Sequence, residues 1–297
     1  MNLKEFQLFF YKSISDLYPK SEIDSFFSIV LEEQLGLQRI DTFLKPNLIL
    51  DSKEVSTLKK ITHRLQKEEP IQYIFGKTEF FGLPLYVNEN TLIPRPETEE
   101  LVAWIIEEVA GLQTSKVPKP QGDRVSIETN LKILDIGTGS GCIPISLAKN
   151  LEHVSISAID ISTKALAIAK KNAILNNVDI NFIEKDILKV ETLNEEFDII
   201  ISNPPYVREL EKLEIKNNVL QNEPHLALFV SDENPLIFYR KIAKLAKKHL
   251  SKNGLLFFEI NQYLGNETTK MLSELSFSSV NLKKDIFKND RMIKAQF

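Results

Sequence analysis

Leu131-Lys132-Ile133-Leu134-Asp135-Ile136-Gly137-Thr138-Gly139-Ser140-Gly141-Cys142 is the stretch on which the fold turns. Its first six residues form an apolar run of strand length, and three alternating glycines follow at once. Cys142–Asn150 then carries the apolar spacing of a helix. A strand, a glycine turn and a helix in that order open a βαβ unit. The alternation continues outward. Val154–Asp160 reads as a strand and Thr163–Asn177 as a helix, with Ile180–Ile187 and Phe197–Ser202 as further strands. Leu236–Leu250 reads as a helix, Gly254–Ile260 as a strand and Leu264–Leu275 as a helix. Val280–Phe287 and Arg291–Phe297 form a closing antiparallel pair about the turn Lys288–Asp290. Near-continuous apolar strands joined by crossover helices predict a doubly wound, mostly parallel α/β sheet of seven strands with an antiparallel closing strand.

The glycine loop is a ligand cradle by its chemistry. Glycines let the backbone turn tightly and let a ligand approach where a Cβ would clash. Gly137-x-Gly139-x-Gly141 differs from the Gly-x-Gly-x-x-Gly of dinucleotide sites. It lacks the Lys-Ser/Thr of a P-loop, since Cys142 and Ile143 follow. A carboxylate, Asp135, precedes it, and charge alone makes that a better neighbour for a cation than for a polyphosphate. Asp160 ends the second strand on the same sheet edge, placed to accept both ribose hydroxyls of an adenosine. The alternative for Asp160 is a helix cap for the segment beginning at Ser162. Asp186, read as ending the third strand, and Ile187 would flank an adenine ring or serve only as local structure. Cys142 reads as a small core residue at a helix start, with no histidine near it in sequence.

The fourth strand ends in Ser202-Asn203-Pro204-Pro205-Tyr206. Two prolines stop the strand and stiffen the loop after it. Neither donates an N–H, so their carbonyls form a purely accepting surface. Asn203 adds a side-chain carbonyl and Tyr206 an aromatic face. Such a group of residues would hold a planar –NH2, one proton on Asn203 Oδ1 and the other on the Pro204 carbonyl. A side-chain amide, adenine N6 and cytosine N4 all present that conjugated amine, so the motif alone does not choose among them.

The first ~75 residues read as a small helical bundle. Leu3, Phe6, Leu8, Phe9, Ile14 and Leu17 recur at helical spacing, as do Ile23, Phe26, Phe27, Ile29, Val30 and Leu35. Ser52 would cap a third segment that ends before Pro70. Gly76, Gly82, Pro84, Pro94 and Pro96 punctuate short β-prone stretches, Glu79–Leu85 and Tyr86–Leu92, which suggests a hairpin linking two bodies. Pro96 begins a helix with Glu97, Glu99 and Glu100 in its first turn, running to about Ala110. Residues 113–130 are polar and aperiodic and read as an exposed loop. The resulting division is a helical domain at 1–75, a hairpin linker at 76–95 and a sheet domain at 96–297.

Composition narrows the partners. The chain has 297 residues, 37 Lys and Arg against 41 Asp and Glu, and a formal net charge of −4. The first 75 residues hold 10 basic against 11 acidic side chains, and the remainder 27 against 30. Neither part is the basic body that phosphate neutralisation requires. One cysteine excludes an intramolecular disulfide, and with only 4 histidines no metal site is expected. No apolar run reaches the ~18 residues of a membrane span, and the amino terminus does not read as a signal peptide, so the expected compartment is the cytoplasm.

Gly-x-Gly-x-Gly, a ribose carboxylate and Asn-Pro-Pro-Tyr in this order resemble a class I S-adenosylmethionine-dependent methyltransferase acting on a conjugated –NH2. The chain resembles the bacterial protein-(glutamine-N5) methyltransferases of peptide chain release factors over nearly its whole length. Ile93-Pro94-Arg95-Pro96-Glu97-Thr98-Glu99 and Glu223-Pro224 with Ala227-Leu228 join the motifs already quoted. It departs from that family at Ile187, where an aromatic residue is common, and at Val230–Pro235, where glycines are common. The resemblance implies S-adenosylmethionine as cofactor, held by Gly137, Thr138, Gly139, Ser140, Gly141, Asp160, Asp186, Ile187 and Asn203. It implies a glutamine slot formed by Asn203, Pro204, Pro205 and Tyr206, with Asn203, Pro204 and Tyr206 catalytic. It implies class 1 release factors as protein substrate, met by the helical domain and hairpin, with the enzyme a monomer. The alternatives are a glutamine methyltransferase of a ribosomal protein, an adenine-N6 or cytosine-N4 nucleic-acid methyltransferase, and a silent cofactor-binding scaffold. Pro96-Glu97-Thr98-Glu99 after Pro94-Arg95 favours the release-factor family over its ribosomal relative.

Overall fold

The computed structural model describes residues 1–115 and 130–296, which group into two compact units. The first comprises Met1–Gly76 with Lys216–Asn222, and the second Lys77–Ile215 with Glu223–Phe297.

In the first unit, α1 (Leu3–Ile14), α2 (Lys20–Leu35), the short α3 (Asp41–Leu44), α4 (Ser52–Gln66) and α5 (Ile71–Phe75) form a bundle. Leu3, Phe6, Phe10 and Ile14 are the buried stripe of α1. This is the strict three-to-four spacing, and it leaves the expected core positions Leu8 and Leu17 exposed. Phe6, Phe10 and Phe27 meet with ring centroids 5.4–5.9 Å apart, so the aromatic stripe is this bundle's own core. Asp51, rather than Ser52, caps α4. Its carboxylate accepts from Glu54 N at 2.7 Å while Glu54 returns the bond to Asp51 N. A carboxylate at that place also meets the positive end of the helix dipole.

In the second unit, β1 (Lys77–Phe80) and β2 (Leu83–Tyr86) form a hairpin about Phe81 and Gly82, both at positive φ. Tyr86–Leu92, expected as strand, is irregular beyond Tyr86. The hairpin is fastened inside this unit by one side chain. Fully buried Asn172 accepts from Tyr86 N at 2.6 Å and donates to the carbonyls of Tyr86 and Ser140, each at 2.9 Å.

The helix α6 runs over Pro96–Ser115, so 113–115 of the expected loop are helical while 116–129 lie outside the described residues. After it come β3 (Leu131–Ile136), α7 (Cys142–Asn150), β4 (Val154–Asp160), α8 (Thr163–Leu175), β5 (Asn181–Glu184) and β6 (Phe197–Ser202). The chain continues through β7 (Val207–Arg208), α9 (Asn217–Asn222), α10 (His225–Leu228) and β8 (Phe229–Val230). It closes with α11 (Ile237–His249), β9 (Leu250–Glu259), α12 (Gly265–Glu274), β10 (Ser278–Lys284) and β11 (Asp290–Gln296). The seven-stranded order is β10-β11-β9-β6-β3-β4-β5. The pairs among β5, β4, β3, β6 and β9 are parallel, and β11 is antiparallel between β9 and β10. This is the doubly wound sheet with an antiparallel closing strand that the sequence predicts. Leu134, Ile136 and Ile200 face one apolar layer, and Ile133, Ile199 and Ile201 face the other, as period-two strands buried on both faces must.

The third crossover strand is shorter than expected. β5 stops at Glu184, and Asp186 instead caps a 3₁₀ turn over Ile187–Lys189, accepting from Leu188 N at 3.0 Å. At an edge strand with few buried side chains, a local carboxylate cap competes successfully with further ladder bonds. Among the described residues no helix is long and apolar enough to cross a membrane.

Asn172→Ala would leave three backbone groups of the hairpin and glycine loop without their partner. It is expected to lower stability by about 2–3 kcal/mol in denaturant unfolding. A loss below about 1 kcal/mol would mean that the hairpin does not depend on this side chain.

Candidate active site

Strand order reverses about β3, whose neighbours are β4 on one side and β6 on the other. Ligands of open α/β sheets lie beyond the carboxyl ends of strands at such a point. A cavity of about 310 Å³ occupies that place. Its wall includes Gly137, Thr138, Gly139 and Ser140 after β3, Asp160 after β4, Asp186 and Ile187 after β5, and Asn203, Pro204 and Pro205 after β6. Two residues expected at the site are not on that wall. Gly141 starts α7 at φ +81, and a Cβ there would come within 3.0 Å of Ile145 Cδ1 and 3.2 Å of Ala169 Cβ. Its place is the close packing of α7 against its neighbours. Tyr206 packs against the adjoining core layer and turns its hydroxyl toward Glu259.

The two motifs meet directly. Gly137 adopts φ +79, and a Cβ built on it lies 3.9 Å from the Asn203 carbonyl oxygen. Ser202 Oγ donates to the Ile136 carbonyl at 2.6 Å, tying the end of β6 to the end of β3. Asp160 shapes the other side of the loop. Its Oδ2 accepts from Gly139 N at 2.8 Å and its Oδ1 from Ser162 N at 2.9 Å, while Ser162 itself caps α8. Burial pushes the Asp160 carboxyl up, and the backbone donors Ser162, Gly139 and Ile161 partly oppose that. Each Asp160 oxygen keeps a lone pair beyond these bonds.

Asn203 donates from Nδ2 to Thr98 Oγ1 at 3.4 Å. Thr98 Oγ1 donates to Glu259 Oε2 at 2.6 Å, and the Tyr206 hydroxyl donates to Glu259 Oε1 at 3.1 Å. Glu259 is 1% exposed and Thr98 2%. Burial raises the Glu259 carboxyl, while Thr98, Arg291 and Tyr206 hold it back toward the charged form. Among the described residues, neither Asn203 Oδ1 nor the Pro204 carbonyl receives a hydrogen bond. Two acceptors are thus left available beside the glycine loop.

A second buried carboxylate fixes the far wall. Glu223, 3% exposed, accepts from Ile93 N at 3.1 Å and pairs with Arg95 at 2.5 Å, which joins two segments that both line the cavity through Pro94, Arg95, Pro224 and Ala227. Local sequence reasoning assigned no role to Thr98, Glu223 or Glu259. The signal that would have found Glu259 is a carboxylate at the end of an apolar strand, since it follows Phe257-Phe258 as Asp160 follows Ile159; Thr98 and Glu223 carry no such local mark.

Asp135 is 1% exposed, and both its carboxylate oxygens are buried without a hydrogen bond. Burial raises it to about 7. Thr138 lies close enough to lower it somewhat without meeting hydrogen-bond geometry, and Asp160 raises it further. Burial pushes the Cys142 thiol up to about 12, away from the thiolate form that a nucleophile needs.

The fold and this cavity define a class I S-adenosylmethionine-dependent methyltransferase. Residues 123–227 match the methyltransferase small domain family, and residues 18–76 match the PrmC N-terminal domain family. A release factor glutamine methyltransferase of Flavobacterium psychrophilum is 57% identical over 297 residues, covering 100% of both chains. One from Bacteroides thetaiotaomicron is 42% identical over 96% of each. The crystallised catalytic domain of hMettl16 shares the fold with a TM-score of 0.55 at 16% identity, over 84% of each chain. The chain belongs to the release factor glutamine methyltransferase family.

Asp135 carries a sign-determined pH dependence. Its folded carboxyl titrates near 7 against 3.8 when free, so the folded state binds the extra proton between those values. Stability of the ligand-free protein therefore falls as pH rises through that window, by an amount on the order of 4 kcal/mol in all. Denaturant unfolding at several pH values is expected to show this slope in the wild type and a shallower one in Asp135→Asn. Equal slopes would contradict the burial argument.

Proposed function

We propose that the chain transfers a methyl group from S-adenosylmethionine to the side-chain amide nitrogen of the glutamine in the Gly-Gly-Gln motif of class 1 peptide chain release factors. The pair of available acceptors beside the glycine loop, Asn203 Oδ1 and the Pro204 carbonyl, carries the chemistry of this reading, and the 57% identity over the full length to a release factor glutamine methyltransferase carries the choice of glutamine.

The residues fit the cofactor. Gly137 and Gly139 offer backbone without a Cβ, both at positive φ. Asp160 offers carboxylate lone pairs for ribose hydroxyls, and Ile161, Ile187, Leu188 and Phe238 give the cavity an apolar wall for adenine. Thr138, Ser140 and Asp186 lie on the same wall, Asp186 with its carboxylate already engaged as a cap. Asp135, buried at the loop's base, would be drawn toward its charged form by a cationic ligand. Bound there, S-adenosylmethionine supplies an electrophilic methyl group on a sulfonium.

The protein's task is to make a poor nucleophile attack. An amide nitrogen lone pair is delocalised, and the analogous peptide bond resists rotation by about 18–20 kcal/mol. Asn203 Oδ1 and the Pro204 carbonyl would each hold one amide proton. This concentrates electron density on nitrogen and aims it in line at the methyl carbon. The stiff Pro204-Pro205 backbone keeps those acceptors from following the substrate's motion. Tyr206, held through its hydroxyl, would bound the slot from its packed position. The alkylated nitrogen is strongly acidic and loses its proton to solvent after transfer. Recognition of the release factor falls to the helical unit and hairpin. The reading takes the enzyme as a monomer acting in the cytoplasm, where release factors work.

The direct test is labelled methyl transfer to a purified release factor. Label is expected on the wild-type substrate and none once its Gly-Gly-Gln glutamine is replaced. Label on bare DNA, or label surviving the replacement, would overturn the assignment. Asn203→Ala is expected to cut kcat by at least about 100-fold, with cofactor affinity within about twofold. Asp160→Ala is expected to weaken cofactor binding first, through the lost carboxylate hydrogen bonds. Unchanged cofactor affinity in calorimetry would remove Asp160 from the ribose role.

A further inference from the structure

One carboxylate reaches both polar members of the Asn-Pro-Pro-Tyr loop, Tyr206 directly and Asn203 through the Thr98 hydroxyl. Thr98 Oγ1 gives its proton to Glu259 Oε2 at 2.6 Å, and Tyr206 gives its own to Glu259 Oε1 at 3.1 Å. A hydroxyl has one proton. Once Thr98 has donated it to Glu259, Oγ1 has only lone pairs to offer Asn203, so the Asn203 carboxamide must present its –NH2 to Thr98. The contact observed is that one, Asn203 Nδ2 to Thr98 Oγ1 at 3.4 Å. Oδ1 is then left for the cavity, which Thr98 and Asn203 both line.

We propose that Thr98 is a positioning residue: its hydroxyl, polarised by Glu259, sets which end of the Asn203 carboxamide faces the substrate amide. The two ends of that carboxamide differ little in shape but are opposite in function. With Oδ1 inward, Asn203 accepts from the substrate –NH2. With Nδ2 inward, it sets donor against donor. The three groups come from the first turn of α6, the end of β6 and the end of β9, so the polarity is imposed across the sheet edge. Thr98 is itself fixed, its N–H bonded to the Arg95 carbonyl at 3.0 Å and its side chain buried.

This inference rests on the glutamine reading, and steady-state kinetics on a purified release factor tests the two separately. Thr98→Val keeps the shape and removes the hydroxyl. It is expected to lower kcat at least about tenfold, the equivalent of one hydrogen bond. KM for the release factor and calorimetric affinity for S-adenosylmethionine are expected to stay within about twofold. Thr98→Ser restores the hydroxyl and should return kcat to within about threefold of wild type. Glu259→Gln, which turns one acceptor into a donor, should lower kcat as well. Four results would overturn the inference: a Thr98→Val variant with wild-type kcat, a Thr98→Ser variant as slow as Thr98→Val, a cofactor affinity that falls in step with kcat, or a Glu259→Gln variant with wild-type kcat. Failure of the wild type to label the release factor would remove the substrate reading and this inference together, whereas wild-type labelling with any of those four removes this inference alone.

Discussion

The parallel register of β3 against β6 is the constraint on which the site depends. Ile136 and Ser202 are partners at the carboxyl ends of these strands, and Ser202 Oγ closes the pair on the Ile136 carbonyl. The next residue on each chain is Gly137 and Asn203, so the glycine loop and the acceptor loop leave the sheet side by side. A slip of one residue would exchange the two faces of β6, putting Ile199 and Ile201 where Ile200 now packs. Both faces being apolar, polar ties hold the register: Asp198 Oδ2 accepts from Lys132 N at 3.0 Å near one end of the pair, and Ser202 Oγ donates to the Ile136 carbonyl at the other. The apolar pattern makes the sheet, and these end ties set the spacing of the site.

Carboxylates do the second part of the work, and they are costly. Asp135, Asp160 and Glu259 all end up at one sheet edge, and burial pushes each toward its neutral form. Two of them recover part of that cost through donors: backbone N–H groups on Asp160, and the hydroxyls of Thr98 and Tyr206 on Glu259. Asp135 has no such hydrogen bond in the described structure. Under the proposed reading, a sulfonium bound at this edge would draw these carboxylates toward their charged forms, a gain for the cofactor set against the empty protein's stability.

Much of this was legible in one sequence. Leu131–Ile136, Cys142–Asn150, Val154–Asp160 and Phe197–Ser202 stand where periodicity puts them, because strands buried on both faces and amphipathic helices leave local signatures. The residues of the two motifs lie at adjacent strand ends for the same reason. What was not legible depends on distance along the chain or on local competition. Thr98 and Glu259 are 161 residues apart, and nothing local marks either as the other's partner. Asn172 reaches the hairpin across 86 residues. Asp51 displaces Ser52 as the cap of α4, and Asp186 turns a strand into a 3₁₀ turn, through single hydrogen bonds that periodicity does not see. Tyr206, read as a stacking face, is committed through its hydroxyl to a carboxylate that the motif itself does not contain.

The most direct test of the acceptor pair is a crystal structure of the protein with S-adenosylhomocysteine and a glutamine-bearing peptide of the release factor. The glutamine amide nitrogen is expected within hydrogen-bond distance of both Asn203 Oδ1 and the Pro204 carbonyl, on the glycine-loop side, with Asn203 Nδ2 still on Thr98. A glutamine seated away from those two oxygens, or an Asn203 carboxamide turned with its –NH2 toward the substrate, would contradict the assignment of these groups to the transfer.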